Sequence, residues 1–106
     1  MAVSFCYSVD DVIAAISNAD SYRNKAADTG HYVFIDTLLD AEIALQKSGL
    51  TTDQQEVLHY RWKLGFTQEE TACIMSRSRE SVGMAEVRSR HKIQKLLDKW
   101  EAESYV

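Results

Sequence analysis

The stretch T-Q-E-E-T-A-C-I-M-S-R-S-R-E-S-V-G-M-A-E-V-R-S-R-H-K, from Thr67 to Lys92, predicts two helices separated by a tight turn. Thr67 is placed to cap the first helix, and Glu70 three residues later completes a capping box. Ser78 is a second N-cap candidate, and polar residues fill the first turn of the helix that it begins. The expected apolar face of the first helix consists of Thr71, Ala72, Ile74 and Met75. Two helices joined by so short a turn are typical of a helix-turn-helix.

The second helix of a helix-turn-helix enters the major groove of DNA with its N-terminal end first. We therefore predict that double-stranded DNA binds at the start of the helix that follows Ser78. An ordinary packed pair of helices would carry the same caps, so the motif by itself leaves that alternative open.

The composition predicts an all-α protein with one compact core. The chain has 106 residues, no proline, four glycines and 45% apolar residues. No window approaches the roughly eighteen consecutive apolar residues of a membrane span, and the N-terminus lacks a secretory pattern. We therefore expect no membrane segment and a cytoplasmic location.

The residues that usually hold metals or perform catalysis are isolated from one another in the sequence. Cys6 and Cys73 lie far apart and have no partner at ligand spacing, which predicts two buried free thiols and no metal site. The histidines at 31, 59 and 91 have no acid or nucleophile beside them. Since a phosphate-binding glycine loop is also absent, we predict neither a cofactor nor an enzyme.

The charges are distributed unevenly along the chain. The net charge is −4, which argues against a protein that coats nucleic acid by bulk electrostatics. Residues 1–49 carry seven acidic and three basic side chains, whereas residues 77–99 carry seven basic and three acidic ones. This asymmetry predicts a local nucleic-acid footprint in the second half, although a solvated helix of mixed charge would also fit.

The acidic first half predicts two helices. The first begins at the Ser8 cap and fades around residues 23–27, and the second runs from about His31 to Lys47. A broad apolar face on the second helix comprises Tyr32, Phe34, Ile35, Leu38, Leu39, Ala41, Ile43 and Leu45. This face is wider than one partner helix needs, so it predicts either a core beneath two elements or an oligomer interface.

The second half predicts a helix on either side of the central turn. Thr52 or Asp53 is expected to cap the helix that ends at Gly65, and the last helix is expected to run from Arg79 to about Trp100. The expected core contacts of the last helix are Val82, Val87, Ile93, Leu96, Leu97 and Trp100. The sequence thus divides into an acidic helical segment at 1–49, the helix-turn-helix unit at 50–100 and a tail at 101–106.

The stretch L-T-T-D-Q-Q-E-V-L-H-Y-R-W-K-L-G-F-T-Q-E-E-T-A-C-I-M-S-R-S-R-E-S-V resembles region 4 of bacterial sigma-70-family factors. In that family, a segment of the form E-V-L followed by an arginine and an aromatic residue precedes a T-x-E-E-x-A helix and a recognition helix that begins S-R-E. The similarity covers about residues 50–97, and its features agree in order and spacing.

The resemblance implies binding to a promoter −35-like element and to the β flap of RNA polymerase. It implies phosphate contacts for Arg61, Thr67 and Arg88, and groove-facing positions for Arg79 and Glu80. The complete set of candidate DNA-binding residues is Arg61, Thr67, Gln68, Ser78, Arg79, Glu80, Ser81, Gly83, Met84, Arg88 and Arg90. An ion pair within the domain is the alternative for Arg61, and a first-turn helix acid is the alternative for Glu80.

Two departures from the family pattern bear on function. Gly83 and Met84 stand where the family usually offers long polar side chains to the groove. The glycine predicts a close approach to DNA or to another helix, or a module that now serves protein contacts. Residues 1–49 do not resemble the region that melts the −10 element, so the chain is not expected to be a complete sigma factor.

Small proteins with a region 4-like end are familiar from bacteriophages and mobile elements. The preferred prediction is therefore a sequence-specific transcription regulator that works with bacterial RNA polymerase near the nucleoid. Since one helix-turn-helix supplies limited contact, a homodimer through the apolar face of residues 32–45 would strengthen binding. Two alternatives remain open: a DNA-packaging adaptor like a small terminase subunit, and a region 4 mimic that binds polymerase without reading DNA.

Overall fold

The computed structural model describes residues 8–29 and 33–104, and these residues form six α-helices without a β-strand. The helices are α1 (Val9–Ser17), α2 (Ala19–Thr29), α3 (Val33–Lys47), α4 (Thr52–Leu58), α5 (Gln68–Ile74) and α6 (Arg79–Ser104). A π-helical turn, His59–Lys63, continues α4. The all-α prediction is confirmed.

Reciprocal caps determine where α1, α4 and α5 begin. The capping boxes predicted at Ser8 and Thr67 are both present. The cap of α4 is Thr51, so the prediction of Thr52 or Asp53 was wrong. The side-chain oxygen of Gln54 accepts from the backbone N–H of Thr51 at 3.1 Å.

The position of Gln54 explains why the cap of α4 lies one or two residues earlier than expected. Its side chain is buried, and Lys92 Nζ of α6 donates to its Oε1 at 2.8 Å. A tertiary contact thus favours Thr51 over the two predicted caps, Thr52 and Asp53, and the identities of these residues alone do not reveal this preference.

The first predicted helix is in fact two helices, because Asn18 interrupts it. The backbone N–H and the side-chain Nδ2 of Asn18 both donate to the carbonyl of Ala14, at 3.0 and 2.9 Å. The amide therefore ends α1 locally, and α2 begins at Ala19. At the other end of the chain, α6 extends to Ser104, so residues 101–104 of the predicted tail are helical.

The larger of two core clusters joins the acidic segment to the second half. It consists of Val9, Val12, Ala15, Ile16, Leu38, Ala41, Ala44, Leu58, Trp62, Ile93 and Leu97. These residues come from α1, α3, α4, the π-helical turn and the second half of α6. The prediction of a helical N-terminal segment packed on a helix-turn-helix is confirmed. Gly49 makes the turn between the two halves with a φ of +75°.

A smaller cluster forms the core of the helix-turn-helix itself. It consists of Val57, Ala72, Val82 and Ala85, with Met75 packed against it. Two predicted core residues lie outside both clusters: Ile74 is 49% exposed and Val87 is 45% exposed. Val87 is two positions beyond buried Ala85, a rotation of about 200° around the helix, so it faces solvent.

The broad apolar face predicted for α3 divides into a buried side and an exposed side. Leu38 is 2% exposed, whereas Leu39 is 49% and Ile43 is 39% exposed. The structure does not describe His31, Tyr32 or the side chains of Phe34 and Ile35, so the predictions made for them lie outside the described residues. Among the described residues of the predicted face, Leu39 and Ile43 are the two that remain exposed and available for an oligomer contact.

In the monomer, we expect Leu39→Glu to change the free energy of unfolding by less than about 0.5 kcal/mol, because the side chain faces water there. Leu38→Ala is the matched control and should lose about 2–5 kcal/mol, since it leaves a cavity in the core. Urea unfolding followed by circular dichroism measures both. Equal losses for the two variants would place Leu39 in the core.

Cys73 is exposed, so the prediction that it is buried was wrong. It follows buried Ala72 on α5 and points away from the helix-turn-helix core. Cys6 lies outside the described residues. Within residues 8–29 and 33–104, no group of three or more potential ligands is placed to hold a metal ion. No helix in this part of the chain has the length and apolarity to cross a bilayer.

Candidate nucleic-acid interface

The turn between α5 and α6 depends on one residue with unusual backbone geometry. Ser76 has a φ of +54°, in the left-handed region that few residues other than glycine adopt. The turn closes with the N–H of Arg77 donating to the carbonyl of Ala72 at 2.8 Å. The Oγ of Ser78 then accepts from the N–H of Ser81 at 3.1 Å, which confirms Ser78 as the cap of α6.

The guanidinium of Arg77 ties this turn to its neighbours. Its Nη2 donates to Ser81 Oγ at 2.5 Å, and its Nη1 pairs with the carboxylate of Asp53 on α4. The side chain of Ser81, a predicted DNA contact, is therefore engaged inside the protein. The contact of Arg77 with α4 thus helps the turn to fix the angle between α5 and α6.

A buried carboxylate lies behind the start of α6. Glu86 is 8% exposed and accepts hydrogen bonds from Arg61 Nε at 2.9 Å, Trp62 Nε1 at 3.1 Å and Gln68 Nε2 at 3.3 Å. Arg61 Nη1 also donates to the carbonyl of Phe66 at 2.6 Å. One side chain of α6 thus holds the π-helical turn and the first turn of α5.

The ionised form of Glu86 is the one that this network favours. Burial raises the pKa of Glu86, but hydrogen bonds from Arg61, Trp62 and Gln68, with the positive charge of Arg61, lower it below its ordinary value. The carboxylate is therefore charged at neutral pH.

Sequence reasoning did not single out Glu86. A usable signal was present, because Glu86 falls at helical spacing within the inward residues Val82, Ser89 and Ile93. An acid on the inward side of a basic helix needs a buried partner.

The side of α6 that points away from both cores begins at its first turn. We call the exposed side chains of the first three turns of α6 the outward face: Arg79, Glu80, Met84, Val87 and Arg88. The helix N-terminus and the two arginines favour an anionic partner. Four of these five residues were predicted as DNA contacts, and the structure brings them together on one surface.

Residues 48–95 match the protein family described as Sigma-70, region 4. This segment is a sigma-70 region 4-like helix-turn-helix. We call it the region 4 module; it runs from the turn before α4 into α6. Region 4 domains bind DNA and RNA polymerase. No curated protein and no solved structure matches the chain.

Four other candidate DNA-binding residues form hydrogen bonds or ion pairs within the protein. Thr67 and Ser78 cap helices, and Gln68 donates to Glu86. Arg90 Nη2 pairs with Asp10 of α1 at 3.0 Å, which connects the basic helix to the acidic segment.

Arg61 is the candidate residue for which the sequence left two roles open, a phosphate contact and an ion pair within the domain. Its side chain is 26% exposed, and its nitrogens are shared between Glu86 and the carbonyl of Phe66. The structure therefore supports the alternative of an ion pair within the domain. We infer that Arg61 positions α6 from behind.

Arg79 forms an ion pair that offers little resistance to DNA binding. Its Nη1 lies 3.4 Å from Glu69 Oε1, and the two side chains are 62% and 74% exposed. Exposed pairs contribute at most about 1 kcal/mol, so Arg79 is free to exchange Glu69 for a base or a phosphate.

Gly83 has room for a larger side chain in the protein alone. A Cβ built there would meet only the side-chain amide of Gln68, at 3.7 Å or more, which is an ordinary contact. Gly83→Ala should therefore raise the free energy of unfolding by about 0.5–1 kcal/mol, because alanine favours the helix. Thermal unfolding measures this gain. Destabilisation would mean that close packing requires the glycine.

Proposed function

We propose that this chain is a sequence-specific DNA-binding transcription regulator that works with bacterial RNA polymerase at a promoter −35-like or operator element. The observation that carries the proposal is the outward face, where Arg79, Glu80 and Arg88 are all exposed at the start of the second helix of a region 4 module. Arginine can bind guanine O6 and N7, glutamate can accept from cytosine N4, and either arginine can pair with phosphate.

The proposal includes the setting in which the protein works. We place it in the cytoplasm of a bacterial cell, associated with the nucleoid, either as a host protein or as the product of a phage or mobile element. Its role is binding and not catalysis. The exposed pair Leu39 and Ile43 supports a homodimer through α3, which would double the limited contact of one helix-turn-helix.

Footprinting across the bacterial genome, combined with a pull-down against RNA polymerase, tests the proposal directly. Discrete protected sites together with polymerase binding are expected. Polymerase binding without protected sites would favour the region 4 mimic, for which the glycine and methionine at 83 and 84 are the supporting departures. A large ring in solution would instead favour the packaging adaptor.

Arg88→Ala should weaken binding to every duplex and lower the slope of log affinity against log salt by about one. Arg23→Ala is the matched control: Arg23 lies on α2, pairs with Glu42 at 3.3 Å, and should leave the slope unchanged. Titrations of a fluorescent duplex at several salt concentrations measure both. An unchanged slope for Arg88→Ala would remove this arginine from the phosphate contact.

A further inference from the structure

The outward face of α6 contains two apolar side chains that contribute nothing to either core. Met84 is 50% exposed and Val87 is 45% exposed, and among the described residues they are the two exposed large apolar side chains of α6. Valine is also a poorer helix former than alanine at an exposed position. Neither the stability of the protein nor its solubility explains these two residues.

The neighbours of these side chains limit what can cover them. Glu80 precedes Met84 by one helical turn, and Arg88 follows it by one turn, so the apolar pair lies between charged groups. Arg79 adds a further exposed cation at the helix N-terminus. A wholly apolar protein surface would cover Glu80 and Arg88 without pairing them. DNA offers phosphates for the arginines and base edges for Glu80 and the apolar pair.

The major groove of DNA displays one apolar group, the 5-methyl group of thymine, and apolar side chains bind it. Resting on the proposed DNA-binding function, we infer that Met84 and Val87 contact thymine methyl groups and make the preferred site depend on them. Val87 lies three positions after Met84, a rise of about 4.5 Å along α6, so the two side chains can reach neighbouring base pairs. Glu80, one turn earlier, faces the same groove.

The test uses the full chain and a duplex chosen by selection from random sequences. Each thymine of the selected site is replaced in turn by deoxyuridine, which keeps every hydrogen-bonding group and removes only the 5-methyl group. At one or two positions we expect about fourfold weaker binding, the equivalent of roughly 0.8 kcal/mol for one buried methylene-sized group.

Matched variants assign the effect to these residues. Met84→Ala and Val87→Ala should each bind the thymine duplex more weakly and lose the dependence on one methyl group. Leu64→Ala, between the π-helical turn and α5 and outside the outward face, should bind as the unaltered protein does and keep that dependence. Since all three side chains are exposed, the variants are expected to fold, which circular dichroism verifies.

Two results would overturn the inference. If the protein selects a site but tolerates deoxyuridine at every position, Met84 and Val87 do not read methyl groups, although the proposed DNA-binding function stands. If deoxyuridine weakens binding equally for the unaltered protein and both variants, other residues sense the methyl groups. Failure of the proposed function looks different, because the selection would then recover no preferred duplex.

Discussion

Glu86→Ala should lower the free energy of unfolding by about 3–5 kcal/mol, because it leaves a largely buried arginine without its carboxylate. The indole N–H of Trp62 would lose its acceptor at the same time. Urea unfolding at neutral pH measures the loss. Glu56→Gln is the control, since Glu56 is exposed on α4 and should change stability by less than about 0.5 kcal/mol.

The pH dependence of stability provides a second test of the same carboxylate. Because the pKa of Glu86 is lowered in the folded protein, the unfolded chain binds the proton more tightly. The stabilisation is complete above the ordinary glutamate pKa of about 4.3 and is lost as the pH falls through the lower folded pKa. Glu86→Gln should therefore flatten the acid side of the stability curve. An unchanged curve would show that Glu86 is not the group responsible.

Arg79→Ala should weaken binding to the preferred site by about 1–3 kcal/mol and hardly affect a scrambled duplex, because a bidentate arginine–guanine contact discriminates between bases. Its side chain is 62% exposed, so folding should survive. Paired titrations on the two duplexes at one salt concentration measure the difference. Equal losses would make Arg79 a phosphate contact, and no loss on either duplex would favour the polymerase-binding mimic.

Arg61→Ala is the informative comparison for Arg79→Ala. It should lower affinity for both duplexes, as a phosphate contact would, but the reason is the loss of the Glu86 network behind α6. The free energy of unfolding separates these explanations. A fully stable Arg61→Ala variant with weakened binding would restore the direct phosphate role.

Local patterns in the sequence were sufficient to predict most of the architecture. The caps at Ser8, Thr67 and Ser78 were found because a cap and its partner lie within three residues of each other. The region 4 resemblance was found because its spaced features occur in one continuous stretch: it was predicted over about residues 50–97, and residues 48–95 match the family.

The features that the sequence did not reveal depend on contacts between distant residues or on a small rotation around a helix. Glu86 bonds to residues 18 to 25 positions away, so no short window contains the network. Val87 belongs to an apolar pattern, yet its rotation from Ala85 places it on the outward face. No residue type marks a π-helical turn in a sequence, so the turn at His59–Lys63 was not predicted. This turn places Arg61 and Trp62 side by side at Glu86.

The continuity of α6 has a consequence for how the acidic segment would be oriented in the proposed complex with DNA. The helix is 26 residues long, or about 39 Å, with the outward face in its first turns and core residues such as Ile93 and Leu97 further along. A helix of this length bends only gently, so α1 and α3 keep a constant orientation relative to the outward face and, under the proposed function, to DNA bound there. A protein bound to the exposed side of α3 would therefore be directed toward one side of the double helix. Its own DNA contacts would have to lie in phase with the site, at intervals of about 10–10.5 base pairs.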